Sequence, residues 1–515
     1  MNILLVIADQ LAARSLPAYG NRVVKTPHLD RLAAEGVVFE HAYCSSPLCA
    51  PSRASFITGG LPSRIGVYDN GAELPASVPT VAHHLRAVGY WTGLAGKMHF
   101  IGPDQLHGFE ERLTPDIYPA GMHWIPDWEA PVSEHKPWYH DMSSVFEAGV
   151  SEASLQLEYD EQVARTSIQT IHDRARGGDG RPFLLVASFS HPHDPWEIPA
   201  AYWNIYKDAN IDGPSVPSIP DGALDPHSRR VREMCGGLGV DVPVEMVLRA
   251  RRGHYAAISY VDHKVGLLMK ALAETGLRDE TVVIFAADHG EMLGERGLWY
   301  KMTFFEPSAA VPLIVSSPRT FRARRVSANV SLLDLAPTLL ELASPHPASR
   351  READLPTTWG SGFDGASLVP LLGGGDGTRR AAVVGEYLAE GAVAPVVMIR
   401  RESLKFIASP GDPDQLFDVD ADPDELNNLA STSAYMRDAA AFKEEVAARW
   451  DLDALREKVV ASQRRRQVIA GALSVGVAPD WDYRTADDSG EHYVRGADFW
   501  APFKAARLRE QASSD

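Results

Sequence analysis

Short apolar runs separated by helical patterns limit most strongly what this chain can fold into. Residues 2–8, 37–43, 90–96, 182–190, 281–287 and 311–316 read as buried strands, and the longest helical pattern between them covers 251–276. Strand–helix alternation of this kind implies an α/β fold with a large, mainly parallel sheet sandwiched by helices. Local punctuation supports two of the helices. Thr26-Pro27 opens one that stops at Gly36, and Pro51 to Thr58 reads as another that begins just after Cys49.

The pattern changes after about residue 375. Short strands at 382–388, 395–401 and 404–409, with a helix near 433–449, predict a smaller antiparallel α+β unit. From Arg464 on, a helix leads into an extended tail rich in aromatics: Trp481, Tyr483, Tyr493, Phe499 and Trp500. The Gly/Asp-rich patch 373–377 is the expected linker. Three segments are therefore expected: a catalytic domain over 1–375, an α+β subdomain over 376–460, and a helix plus tail over 461–515.

Three polar clusters sit at or near strand ends, where ligand sites gather in open α/β sheets. Asp9-Gln10 follows the first strand, and Asp288-His289-Gly290 follows 281–287. Hard oxygen donors with an imidazole, on two strands that can be neighbours, suit a divalent cation. Taken singly, either cluster is also how a strand commonly gives way to a helix cap. The third cluster is Cys49-Ala50-Pro51-Ser52-Arg53, running on through Ala54-Ser55-Phe56-Ile57-Thr58-Gly59. A buried structural cysteine before a proline-initiated helix is the competing reading. Against it, Cys49 lies at the positive end of a helix dipole with Arg53 one turn in, a sensible position for a nucleophile that meets an anion.

Cys-x-Pro-Ser-Arg followed by Ala-Ser-x-x-Thr-Gly resembles the signature of the formylglycine-dependent sulfatases of the alkaline phosphatase superfamily. In that family the cysteine is converted enzymatically to formylglycine. The resemblance spans most of the chain: Asp9-Gln10, Gly96-Lys97-x-His99, Ser190-His191-Pro192-His193-Asp194-Pro195, Asp288-His289-Gly290, Leu416-Phe417-Asp418, and Asp422-Pro423-x-Glu425-x-Asn427-Asn428-Leu429. The blocks 46–51, 66–70, 96–113 and 288–299, the last continuing to Lys301, look like those of bacterial choline sulfatases.

The resemblance implies an alkaline-phosphatase-like fold and a division of labour. Asp9, Gln10, Asp288, His289 and the modified residue 49 would bind one divalent cation, calcium in most of the family, with Mg2+ or Mn2+ as alternatives. Arg53, Lys97 and Lys301 would neutralise the sulfuryl oxygens. His99 and His191 are the candidates for proton transfer, with His193 as the alternative to His191. Asn70, Trp124 and His140 match the choline-binding segments, and an aromatic face such as that of Trp124 suits a quaternary ammonium. Core packing is the competing role for Trp124.

Two departures stand out. His140 is followed by Asp141 where choline sulfatases tend to have His-Asn. The tail 493–500, from Tyr493 to Trp500, differs from the family's Arg-Asn-His-Met-x-Leu-Asp pattern. Asp141 or Asp498 would restore a carboxylate against the ammonium. Hydrolysis of choline sulfate is the expected reaction, with a broad arylsulfatase and a phosphonate monoester or phosphodiester hydrolase as alternatives. A formylglycine-generating enzyme would act during maturation, and the aromatic tail suggests a homo-oligomer, a dimer or tetramer.

The bulk properties bear on partners. With 68 Asp+Glu against 50 Lys+Arg, the formal net charge of -18 argues against nucleic acid and anionic membrane surfaces. The opening apolar run is too short for a signal-peptide core, and no apolar stretch is long enough to span a bilayer. The three cysteines, Cys44, Cys49 and Cys235, suit a reducing compartment better than a disulfide framework. The expected location is the cytoplasm.

Overall fold

The apolar run at the start of the chain becomes an interior strand of a nine-stranded sheet. The computed structural model describes residues 1–131, 134, 140–343, 362–375 and 382–485. The strands are β1 (Asn2–Ala8), β2 (Val37–Tyr43), β3 (Trp91–Gly96), β4 (Glu111–Arg112), β5 (Gly149–Val150), β6 (Phe183–Phe189) and β7 (Glu197–Ile198). They continue as β8 (Thr281–Ala287), β9 (Ala310–Val311), β10 (Leu313–Ser316) and β11 (Arg324–Ser331). The large sheet runs β11-β2-β10-β8-β1-β6-β3-β4, with β9 on the end of β2, while β5 and β7 pair separately.

Successive residues of β1, β6 and β8 are almost all buried, so both faces of the sheet are covered. Helices Pro27–Glu35, Leu155–Ala175 and Val244–Glu274 pack together as one group, and Cys49–Thr58, Val81–Ala87 and Leu335–Ala343 as another. The sheet is mixed rather than wholly parallel, because β10 runs antiparallel to both β2 and β8. The run 311–316 divides at Pro312 into β9 and β10, since proline has no N–H for the ladder.

The smaller sheet is antiparallel, in the order β12 (Val383–Tyr387), β13 (Val396–Arg401), β14 (Leu404–Ala408) and β15 (Gln415–Asp418). Helix Met436–Arg449 packs on it, Phe442 stacking on Phe406 with ring centroids 5.5 Å apart. The expected helix from Arg464 instead begins at Leu452, where the Asp451 carboxylate accepts a hydrogen bond from Ala454 N, and it ends at Leu473. It therefore crosses the expected boundary at residue 460. The tail residues Tyr493, Asp498, Phe499 and Trp500, and part of the 373–377 patch, lie outside the described residues.

Candidate active site

Four adjacent parallel strands, β8, β1, β6 and β3, deliver most of the site from their C-terminal ends. Ala8 pairs with Ala287, so Asp9 and Asp288 leave the sheet side by side. Ala8 also pairs with Phe189, and Asp9 N donates to His191 O at 3.2 Å, which carries the histidine segment to the same edge. Gly96 pairs with Ser188, and Lys97 follows. A Cβ on Gly96 would lie 1.9 Å from Ser188 O, and its φ of +105° falls in the left-handed region, so only glycine fits.

Helix Cys49–Thr58 meets this edge with its N-terminus. No side chain of its own caps it, and the Asn70 Oδ1 accepts from Ala50 N at 2.9 Å instead. The Cys49 Sγ lies 3.2 Å from His289 Nε2, 3.6 Å from Lys97 Nζ and 3.8 Å from Asp9 Oδ1. Arg53, one turn in and fully buried, donates to Asp288 Oδ2 and Ser188 Oγ at 2.8 Å and to Lys97 O at 2.6 Å. Its Nη2 is buried without a hydrogen-bond partner, 3.8 Å from Asp9 Oδ1. Lys97 pairs with Asp9 and lies over the Tyr118 ring, 4.3 Å from its centroid.

Buried charges of both signs balance here. Burial alone would raise Asp9, but Lys97, joined by His193, Arg53 and His289, holds it well below the usual carboxylate range. Burial pulls His289 down to about 4 against the pull of Asp288, leaving its imidazole neutral and able to ligate. Asp9, Cys49, Asp288 and His289 each offer a ligand atom within 4.8 Å of the others. Two carboxylates with an imidazole suit a hard divalent cation. Gln10 is turned elsewhere: its Oε1 accepts from Lys301, and its Nε2 donates to Asp194 at 3.2 Å and Glu291 at 2.5 Å. It would ligate only by exchanging Lys301 for the cation.

The two histidines of the His-Pro-His segment differ sharply. His191 Nδ1 is bonded to Asp160 Oδ2 at 2.7 Å, and its ring lies against Tyr260. His193 Nε2 meets Lys301 Nζ at 2.9 Å, while its Nδ1 donates to Asp194 O at 2.7 Å. Burial, then the Lys301 charge, keeps His193 well below its ordinary pKa. His193 rather than His191 therefore stands with the cations and Asp9. His99, also lowered by burial, packs on Tyr118 and Trp124 at 5.1 and 5.4 Å, and both its ring nitrogens are buried without a hydrogen-bond partner.

Trp124 is half-buried, in T-shaped contact with Tyr118 at 5.2 Å, so it lines a surface rather than the core. His140 stacks on Tyr300 at 4.4 Å and on His193 at 5.4 Å. The structure does not draw the Asp141 carboxylate inward: it is exposed and accepts from Ser143 N at 2.8 Å. Sequence reasoning gave no role to Asp194 or Glu291, although both lie inside quoted motif blocks. Tyr118, Asp160 and Glu390 carry no local signal. Glu390 is buried and raised to about 8 by burial, with Asp69 and Cys49 adding to the rise.

A sulfatase family model matches residues 1–345, a model described as N-sulphoglucosamine sulphohydrolase, C-terminal, matches 294–450, and one described as choline sulfatase enzyme C terminal matches 457–500. The chain is 45% identical to a choline-sulfatase of Rhizobium meliloti (strain 1021) over 500 residues, covering 96% of this chain and 95% of that one. It is 27% identical to an arylsulfatase of Clostridium perfringens (strain 13 / Type A), covering 84% of this chain and 91% of that one. Among solved structures, a phosphonate monoester hydrolase of Agrobacterium radiobacter superposes with a TM-score of 0.67 at 25% identity, covering 88% of this chain and 96% of that one.

Proposed function

The chain belongs to the sulfatase family and is a sulfuric ester hydrolase, and we propose that it cleaves choline sulfate to choline and sulfate with a formylglycine made from Cys49. The observation that carries this reading is the 45% identity to a choline-sulfatase, which extends through the C-terminal segment as well as the catalytic core. Two side chains support it. Trp124 offers an aromatic face, and Glu390, whose charge burial opposes, is a carboxylate that a bound ammonium would stabilise.

The proposed chemistry uses residue 49 twice. Water adds to its aldehyde to give a geminal diol. One hydroxyl gives its proton to the Asp9 carboxylate, 3.8 Å from the residue 49 Sγ position, and bonds to sulfur as the bond from sulfur to the choline oxygen breaks. The departing oxygen takes a proton from the Lys301–His193 pair, where Lys301 Nζ is the donor against the neutral imidazole. His99, neutral beside residue 49, then takes the proton of the second hydroxyl. The electrons released form the carbonyl, the carbon–oxygen bond to sulfate breaks, and the aldehyde returns. Arg53, Lys97 and Lys301 set positive charge against the sulfuryl oxygens. What a divalent cation held by Asp9, Asp288 and His289 supplies is further positive charge on a sulfuryl oxygen. Calcium suits these hard donors.

His191, held by Asp160, is assigned to shaping the loop that presents His193. Maturation requires a formylglycine-generating enzyme. Self-association is supported by the apolar side chains exposed along the end of the C-terminal helix and beyond it, Val468, Val475 and Val477. Among the described residues no helix is long and apolar enough to cross a membrane, and a cytoplasmic location is proposed.

The likeness to a phosphonate monoester hydrolase favours one second reading, with the same machinery and a different leaving group. The test is kcat/KM for choline sulfate, an aryl sulfate and a phosphonate monoester, with Cys49→Ala as control. A preference for choline sulfate that disappears in the variant supports the proposal. A preference for either other ester overturns the substrate assignment.

A further inference from the structure

Helix Leu452–Leu473 lies outside the residues matched by the sulfatase model, yet it reaches the turn beside Cys49. The Arg466 Nη1 and Nη2 each donate to one oxygen of Asp69 at 2.7 Å. Asp69 is fully buried and the Arg466 side chain is 7% exposed. The same Asp69 Oδ1 accepts from Gly71 N at 2.9 Å, closing a turn around Asn70. Asn70 caps Ala50 N, and the turn presses on the tryptophan segment from the other side: a Cβ on Gly71 would lie 2.6 Å from Trp124 O.

Two neighbours of Arg466 hold that tryptophan segment further along. Gln463 Oε1 accepts from Trp128 N at 3.0 Å, and Arg464 grips both oxygens of Glu129 at 2.6 and 2.5 Å. One helix therefore holds both the Asn70 turn and the Trp124 wall.

We infer that this helix is an intramolecular clamp on the leaving-group side of the site, with Arg466 as its positioning residue. A buried ion pair is an expensive way to gain stability, since apolar side chains of similar volume fill such a space as well or better. What the paired guanidinium adds is direction, because its two parallel bonds fix both the position and the rotation of the carboxylate. The contacts of residue 49 with Asp9, His289 and Lys97 come from the large sheet and do not pass through Arg466. The clamp therefore governs which alcohol is accepted more than how sulfur is attacked. This inference rests on the reading that Asn70 and Trp124 face the alcohol.

Removing Arg466 alone strands a buried carboxylate and endangers folding. The informative variant is Asp69→Asn with Arg466→Met, which removes both charges and the directed contact together. Arg466→Lys, which keeps one charge without the paired geometry, is measured beside it. The readout is the ratio of kcat/KM for choline sulfate to that for 4-nitrophenyl sulfate, with a thermal melt to confirm folding. A fall of about tenfold or more in the folded double variant is expected, with a smaller fall in Arg466→Lys, as a displaced wall residue would give. An unchanged ratio in folded variants overturns the clamp. Failure of the choline assignment is a separate outcome, because it shows in the wild-type ratio. The ratio is then taken for the ester the wild type prefers, and the variants test the clamp equally.

Discussion

Gly96→Ala probes whether the end of β3 is as tightly set as the site demands. The added methyl would begin 1.9 Å from Ser188 O, whereas such contacts are not found below about 3.0 Å. Either β3 or β6 must therefore retreat by at least about 1 Å, a misplacement of the size that can cost about 10²-fold in rate. The φ of +105° adds strain for any residue with a side chain. Overpacking and strain together come to roughly 2–6 kcal/mol of stability. The displaced atoms hold candidate site residues: Lys97 N donates to Ser188 O, and Ser188 Oγ receives Arg53. The assay is a thermal melt with steady-state kinetics on the preferred sulfate ester. The expected outcome is a melting point lower by several degrees and kcat reduced by about two orders of magnitude in whatever fraction folds. A variant with the wild-type melting point and kcat within threefold would refute this account of the strand end.

Four further outcomes follow from the same geometry. Lys301→Met should lower kcat by about 10²–10³-fold, and more for choline sulfate than for an aryl sulfate whose oxygen leaves without needing a proton. Trp124→Ala should raise KM for choline sulfate by about tenfold with little change in kcat, the size of a cation–π contact, measured against an uncharged alkyl sulfate. Chelation should abolish turnover, and added calcium should raise the melting point of wild type but not of Asp288→Asn, read by calorimetry. Burial lowers His254 to about 3, below its ordinary 6.5, so its contribution to stability is present above pH 6.5 and is lost as pH falls toward 3. His254→Gln should therefore flatten the decline in stability below pH 6.5, by up to about 1.4 kcal/mol per pH unit.

Strands buried on both faces announced themselves. β1, β6 and β8 are almost wholly apolar runs, and the candidate site residues follow directly at their ends. β11 was invisible because it alternates Arg, Val, Ser and Asn at the sheet edge, where one side meets solvent. β15 is four residues, too short for any period to show. The start of helix Leu452–Leu473 was legible and was missed: Asp451 is a readable cap, and Leu452, Leu455, Val459 and Val460 fall at helical spacing. Within the site, Cys49, Arg53, Asp9 and Asp288 were legible from local chemistry. The choice between His191 and His193 was not, since it depends on Asp160 and Lys301, which approach from distant parts of the chain. The same holds for Arg466, whose partner is 397 positions away. Asp141 was read as facing an ammonium, but the neighbouring Ser143 takes up its carboxylate.

Whether residue 49 works as an aldehyde is decided by the mass of the peptide containing it, taken from enzyme that turns over choline sulfate. The expected peptide has lost the elements of hydrogen sulfide and gained one oxygen, in proportion to specific activity. A fully active preparation with unmodified Cys49 would contradict it.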